Sequence, residues 1–224
     1  MPHRLTMGEF VLRCRRRVDM KRNQARTDDD FKALISEQYG DLWGVVSGTG
    51  YRYFETSTTI TATGADSYDE PDDHLGSVWL SRVLPDGREW PLEELMAQEE
   101  WMYKGRTGDA LAFSHIDDQI FLYPKPSSGT YKLYYIPQAT DLSAYADGEV
   151  VDVVTADGAA FLIWGVAVKA HGELEGNAQL ALAERDRYEK KLMEWAALKA
   201  FNEPRRTPVE GRPPYLRDGE WWPR

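Results

Sequence analysis

The chain has one cysteine, Cys14, among 224 residues, so no internal disulfide can staple it. No apolar run reaches 18 residues, which argues against a membrane-spanning helix, and the basic amino-terminal stretch lacks the apolar centre of a secretory signal. These absences lead to the expectation of a soluble protein of a reducing compartment with no membrane partner. Histidine is scarce as well, at 4 residues. Asp72, Asp73 and His74 resemble part of a metal or acid/base group, yet no second histidine lies near them. His115 falls within an expected strand and His171 at an expected helix end, where capping is the commoner role. No catalytic residue, bound metal or cofactor is expected, and with 42% apolar residues the chain is long enough to bury a sizeable core.

Positive charge is also in short supply, with a net charge of -10, but the deficit is uneven. Residues 1–26 hold 8 Lys/Arg against 2 Asp/Glu, whereas residues 27–150 hold 8 against 23. A basic end is joined to an acidic middle. Within that middle Asp66, Asp69, Glu70, Asp72 and Asp73 form the densest cluster, for which a water-facing acidic loop is the simplest account.

The apolar spacing predicts four helices. From Thr6 to about Arg22, Phe10, Val11, Cys14 and Val18 share one face while Arg13, Arg16 and Arg17 point elsewhere. Thr27 is a good N-cap for a second helix, with Asp28, Asp29 and Asp30 in its first turn and a stripe from Phe31 to Val46, stopped by Gly48 and Gly50. Asp157 is the expected cap of a third helix to His171, apolar all round and therefore central. Asn177 is expected to cap the last, whose stripe runs through Ala181, Tyr188, Leu192 and Trp195 until Pro204 ends it.

Between the helix pairs the period changes from about 3.6 to 2. Strands are expected over 51–62, over 77–84 paired with 88–90 across Pro85-Asp86-Gly87, and over 111–116 paired with 119–124 across Asp117-Asp118. Pro91 is expected to open a short helix reaching Met102. Residues 119–137, QIFLYPKPSSGTYKLYYIP, place two apolar runs around a Pro/Ser/Gly loop and predict a β-hairpin, with Tyr131, Leu133 and Tyr135 on its buried face. Trp79, Trp90, Trp101 and Trp164 are expected mainly in cores.

Short helices need partners, so the expected fold is α+β: a four-helix bundle of two αα-hairpins (1–50 and 151–202) with an inserted small antiparallel β domain (51–150) and an extended C-terminal arm (203–224). The arm contains five prolines, and Trp221 and Trp222 lie beyond the last element that could cover them. Burying both rings gains roughly 7–12 kcal/mol, while ordering some 20 residues costs about 20–40 kcal/mol. Such an arm is expected to fold on binding.

An αα-hairpin, a β segment ending in FLYPKPSSGTYKLYYIP with Leu142 close behind, and a second αα-hairpin starting GAAFLIWGVAVKA together resemble bacteriophage head-to-tail adaptor proteins, also called head completion or connector proteins. The resemblance implies a structural virion protein of the neck, assembled in the host cytoplasm. It further implies a ring of copies, twelve if it follows the portal, that binds the portal protein above and tail or neck proteins below. DNA passes through without sequence-specific binding, and the acidic middle suits a channel that must not hold phosphates. By the same resemblance Arg205, Arg206, Pro213, Pro214, Tyr215, Leu216, Trp221 and Trp222 are candidates for portal docking. Tyr123, Pro124, Lys125 and Pro126, with Arg13, Arg16 and Arg17, are candidates for contact between subunits or with the tail.

The alternative function is a nucleic-acid-binding module using the basic amino-terminal helix. Against it, the arginines fan over a wide arc, the rest of the chain is acidic, and no aromatic residues interleave with the basic ones in sequence. A basic rim that meets acidic neighbours in a ring, or an ordinary solvated face, remains open.

Overall fold

Two threonines start the first two helices. In the computed structural model, which describes residues 3–18, 26–96, 99–103, 105–173 and 179–202, the Thr6 hydroxyl accepts from the Glu9 backbone N–H at 3.3 Å while the Glu9 carboxylate accepts from the Thr6 N–H at 3.0 Å. This capping box opens α1 (Met7–Arg17). Thr27 and Asp30 repeat it at the start of α2 (Asp28–Gly48). The third helix, α3 (Ala156–Glu173), is capped by Thr155 rather than Asp157: the Thr155 hydroxyl accepts from the Gly158 N–H at 3.0 Å. The expected Asn177 cap of α4 (Gln179–Asn202) lies outside the described residues.

The strands among the described residues are β1 (His3–Thr6), β2 (Thr56–Ala62), β3 (Tyr68–Asp69), β4 (His74–Val83), β5 (Glu89–Pro91), β6 (Glu93–Glu94), β7 (Ala112–Ile116), β8 (Gln119–Tyr123), β9 (Gly129–Pro137) and β10 (Val150–Val153). They form three sheets, ordered β1-β10, β2-β9-β4-β5 and β3-β8-β7-β6. The expected bundle with a small antiparallel insert is therefore corrected: among the described residues four helices stand beside about 28% strand in three sheets, a large β-rich portion. One pairing, β6 with β7, is parallel.

The strands 119–123 and 129–137 do not pair with each other. β8 already has β7 on one edge and β3 on the other, and β9 lies between β2 and β4, so neither has a free edge for the expected hairpin. The expected helix from Pro91 to Met102 is replaced by β6 and a short 3₁₀ turn at Glu100–Tyr103. Leu92 and Leu95 are both buried at a spacing that imitates a helix, but the N–H groups of Glu93 and Leu95 donate to Leu111 and Phe113 of the neighbouring segment. The expected pairings of β4 with β5 and β7 with β8 are present, and Asp117 turns the second hairpin with φ 54°.

The chain divides into two compact units. The first takes Met1–Thr56, Asp73–Gly76 and Ile136–Ala200; the second is built on Ser57–Asp72 and Ser77–Tyr135. In the first unit α3 packs against both α1 and α2, burying Phe161, Leu162 and Val166 among Phe10, Cys14, Phe31, Ile35 and Leu42. The ribbon of β1 and β10 joins this core through Leu5, Val151 and Val153. Trp43 stacks on Phe54 with centroids 3.5 Å apart and donates its indole N–H to the Pro137 carbonyl at 2.8 Å. Of the 24 residues of α4, Ala181, Leu192 and Ala196 are buried, with Tyr188 and Trp195 half covered. In the second unit Tyr131, Leu133 and Tyr135 face the core as the alternation predicts, against Phe113, Ile120 and Leu122.

The close approach of α2 to α3 depends on Gly165, where an added Cβ would collide with the buried side chain of Gln38. Gly165→Ala is expected to cost about 1–3 kcal/mol from overpacking. Gly40 and Gly44 of α2 have nothing within 4 Å of an added Cβ, and alanine there is expected to gain about 0.4–1 kcal/mol by stiffening the unfolded chain. Thermal melts of the three variants check the opposed signs.

Candidate functional site

The arginines of α1 divide by position. Arg15 reaches Asp28 at 2.6 Å and the Arg26 carbonyl at 3.2 Å, and its guanidinium lies 4.9 Å from the Phe31 ring centroid, so it ties α1 to α2. Arg13, Arg16 and Arg17 instead line a recess of about 580 Å³ whose other walls come from α3 (Ala156, Ala159, Ala160, Ile163, Trp164) and α4 (Tyr188). The small alanines leave room for long basic side chains to reach over the floor, and the Arg17 guanidinium sits 4.7 Å from the Trp164 ring centroid. The first turn of α3 adds the positive end of a helix dipole to the same wall. Asp157 in that turn is answered by Lys191 at 3.8 Å, and Glu184, one turn before Tyr188, by Arg187 at 3.6 Å. Among the described residues no carboxylate pairs with Arg13 or Arg16. The chain order separates these basic residues from aromatics, and the fold brings Trp164 and Tyr188 to them; spacing over 150 residues of sequence gives no hint of it.

The other candidate stretch is more constrained than its composition implies. Tyr123 is half-buried at the end of β8, where its hydroxyl accepts a long hydrogen bond from the Ser114 hydroxyl at 3.4 Å; Pro124 follows through a cis peptide bond. Lys125 pairs with Asp66 at 2.6 Å, Pro126 is buried, and Ser127 and Ser128 are the exposed residues beyond them. All eight candidate portal-docking residues, from Arg205 to Trp222, lie outside the described residues.

The acidic cluster is not left wholly to water. Asp66 takes Lys125, Glu70 meets the Nδ1 of His115, and Asp69 accepts from Gln119 at 3.4 Å, which fastens the β3 segment to β7 and β8. No three of the described His, Cys, Asp or Glu residues gather in a way that could hold a metal. No described helix is long and apolar enough to cross a membrane.

Sequence reasoning missed an exposed apolar knob in the second unit. Met96 is 74% exposed and Trp101 73%, with Met102 also in solvent, although Trp101 was expected in a core. Glu93, Glu94 and Glu99 lie exposed in the same short stretch. The one available signal was the pair Glu99-Glu100 immediately before Trp101, an unusual approach to a buried indole.

A polar cluster on the β4-β9 face has a structural explanation. Glu89 accepts from the Tyr134 hydroxyl at 2.8 Å, from Ser81 at 3.1 Å and from Lys132 at 3.3 Å, while Trp79 stacks on Tyr134 with centroids 4.2 Å apart. Burial pushes the Glu89 carboxyl up, but the hydrogen bonds from Tyr134, Lys132 and Ser81 outweigh it and hold the group below its usual range. A carboxylate whose proton affinity falls on folding stabilises the fold above the ordinary carboxylate range and loses that contribution as pH drops through and below it. Glu89→Gln is therefore expected to cost about 1 kcal/mol at pH 7 and progressively less below about pH 4, measured by urea unfolding at each pH.

A family model described as SU10 adaptor protein matches residues 5–212. The chain belongs to this family of phage head-tail adaptors. No curated protein matches it. As a phage adaptor it is a structural protein of the head-tail junction in the virion, of a family that associates with portal and tail proteins. Surfaces for assembly are then of interest, and among the described residues the basic recess and the acidic apolar knob are two candidates.

Proposed function

We propose that this adaptor forms a ring of copies beneath the portal, in twelve-fold register with it, and links head to tail around the channel through which DNA passes. The observation that carries the reading is the family match over nearly the whole chain. Two surface properties support it. The outer side of α4 leaves Leu180, Leu198 and Phe201 at 69%, 64% and 80% exposure, more apolar surface than a helix needs for one core. The acidic surplus of residues 27–150 suits a passage from which phosphates must be repelled.

In this reading the arm from Arg205 to Trp222, through Arg205, Arg206, Pro213, Pro214, Tyr215, Leu216, Trp221 and Trp222, docks on the portal. Tyr123, Pro124 and Lys125, together with Arg13, Arg16 and Arg17, serve contacts between subunits or with the tail, and Pro126 supports that loop from within. The assembly takes place in the host cytoplasm, and the finished ring sits in the virion neck. Each subunit alone lacks these partners and stays largely monomeric.

Sedimentation checks the reading. The free protein is expected as a monomer and, mixed with portal at micromolar concentrations, as a co-sedimenting complex; no co-sedimentation sinks the reading. Truncation after Asn202 is expected to abolish the complex while shifting the melting temperature by less than ~4 °C, the equivalent of about 1 kcal/mol for a chain of this size. A larger loss would place the arm on its own subunit.

A further inference from the structure

We propose that the acidic apolar knob of one copy, Glu93, Glu94, Met96, Glu99 and Trp101, seats in the basic aromatic recess of the next, formed by Arg13, Arg16, Arg17, Trp164 and Tyr188. The inference rests on the ring reading and names the surfaces that would close it. Charge and shape match on both sides. The recess offers three guanidiniums and the amino-terminal turn of α3, with Arg13 and Arg16 unpaired among the described residues, and about 580 Å³ of room, enough for an indole and a methionine side chain. The knob offers an indole and a thioether more than 70% exposed, with the exposed carboxylates of Glu93, Glu94 and Glu99 in the same stretch of chain. Neither is explained by the packing of its own unit: Arg15 is the arginine that stabilises α1 against α2, and Leu92 and Leu95 are the residues that anchor the knob's base.

A knob and a recess on the same chain make a head-to-tail contact, which propagates and closes when the rotation between copies divides a full turn. Duplex DNA is the competing occupant by chemistry alone, but a recess with room for one indole and one methionine side chain is too small for a helix. The apolar filling also gives the contact a part that salt does not screen.

Disulfide trapping of the full chain tests this without portal. Cys14 is buried, and burial pushes its thiol up to about 12, so it does not compete. The double variant Met102→Cys/Ala160→Cys, which keeps Trp101, is expected at ~100 μM to oxidise to a ladder of covalent oligomers. The two single variants are expected to give dimers only when mixed. Equal dimerisation of Met102→Cys alone, or no crosslinking in any mixture, overturns the proposal. Arg13→Glu/Arg16→Glu, at exposed positions and with retained folding checked by thermal melting, is expected to cut ladder formation at least tenfold, and Glu93→Arg/Glu94→Arg in the same chain to restore it. Loss of binding to a 20-base-pair duplex in the arginine variant, with no ladder from the cysteines, would assign the recess to nucleic acid and overturn the proposal too. A ladder with no co-sedimentation on portal leaves this contact standing and removes only the portal reading.

Discussion

The first unit depends on the burial of α3 against α1 and α2. A helix that is apolar on every side is not stable at a surface, so α3 must be enclosed; α1 and α2, from the far end of the chain, cover it together with Leu192 and Tyr188 of α4. Gly165 lets α2 come close enough for Gln38 to lie across the helix, and Thr155 starts α3 directly after β10, whose partner β1 runs into α1 at Thr6. The β1-β10 ribbon thus sets the entry of two helices at once. The chain of the second unit leaves this core at Thr56 and returns at Ile136, with Asp73–Gly76 belonging to the first unit between them.

The same enclosure creates the recess. Because Phe10, Cys14 and Val18 turn inward, Arg13, Arg16 and Arg17 must turn outward, and the alanines at the start of α3 keep the wall beside them low. Packing requirements inside therefore decide which cations are free outside. Arg15, next to Arg16 and two residues from Arg13 and Arg17, is drawn into the α1-α2 contact by Asp28 and Phe31 and takes no part.

Much of the helical half is legible in the sequence, because its signals are local. Thr27 with three following aspartates, the inward face of Phe10, Val11, Cys14 and Val18, and the apolar girdle of α3 are all decided within one or two turns. The β half is less legible for a physical reason: strands of two to five residues carry too little periodicity, and their partners are set by which edges remain free. QIFLY and GTYKLYYIP look like one hairpin until β3, β7, β2 and β4 are seen to occupy all four of their edges. Leu92 and Leu95 imitate a helix at their spacing of three. The recess was half legible: Arg13, Arg16 and Arg17 stood out, but Trp164 and Tyr188 join them only through tertiary packing. The exposed Trp101 was misplaced in a core because an indole usually is in one.

The central claim is that two helix pairs separated by about a hundred residues of β-rich chain make one cooperative core, and native-state hydrogen exchange of the full chain under increasing urea tests it most directly. Amides of Phe10–Arg17, Phe31–Val46 and Phe161–Ala170 are expected to open together, with opening free energies within about 1 kcal/mol of one another. Exchange of α1 and α2 amides a hundredfold or more faster than those of α3, a gap of about 2.7 kcal/mol, would contradict the claim and show two separate cores.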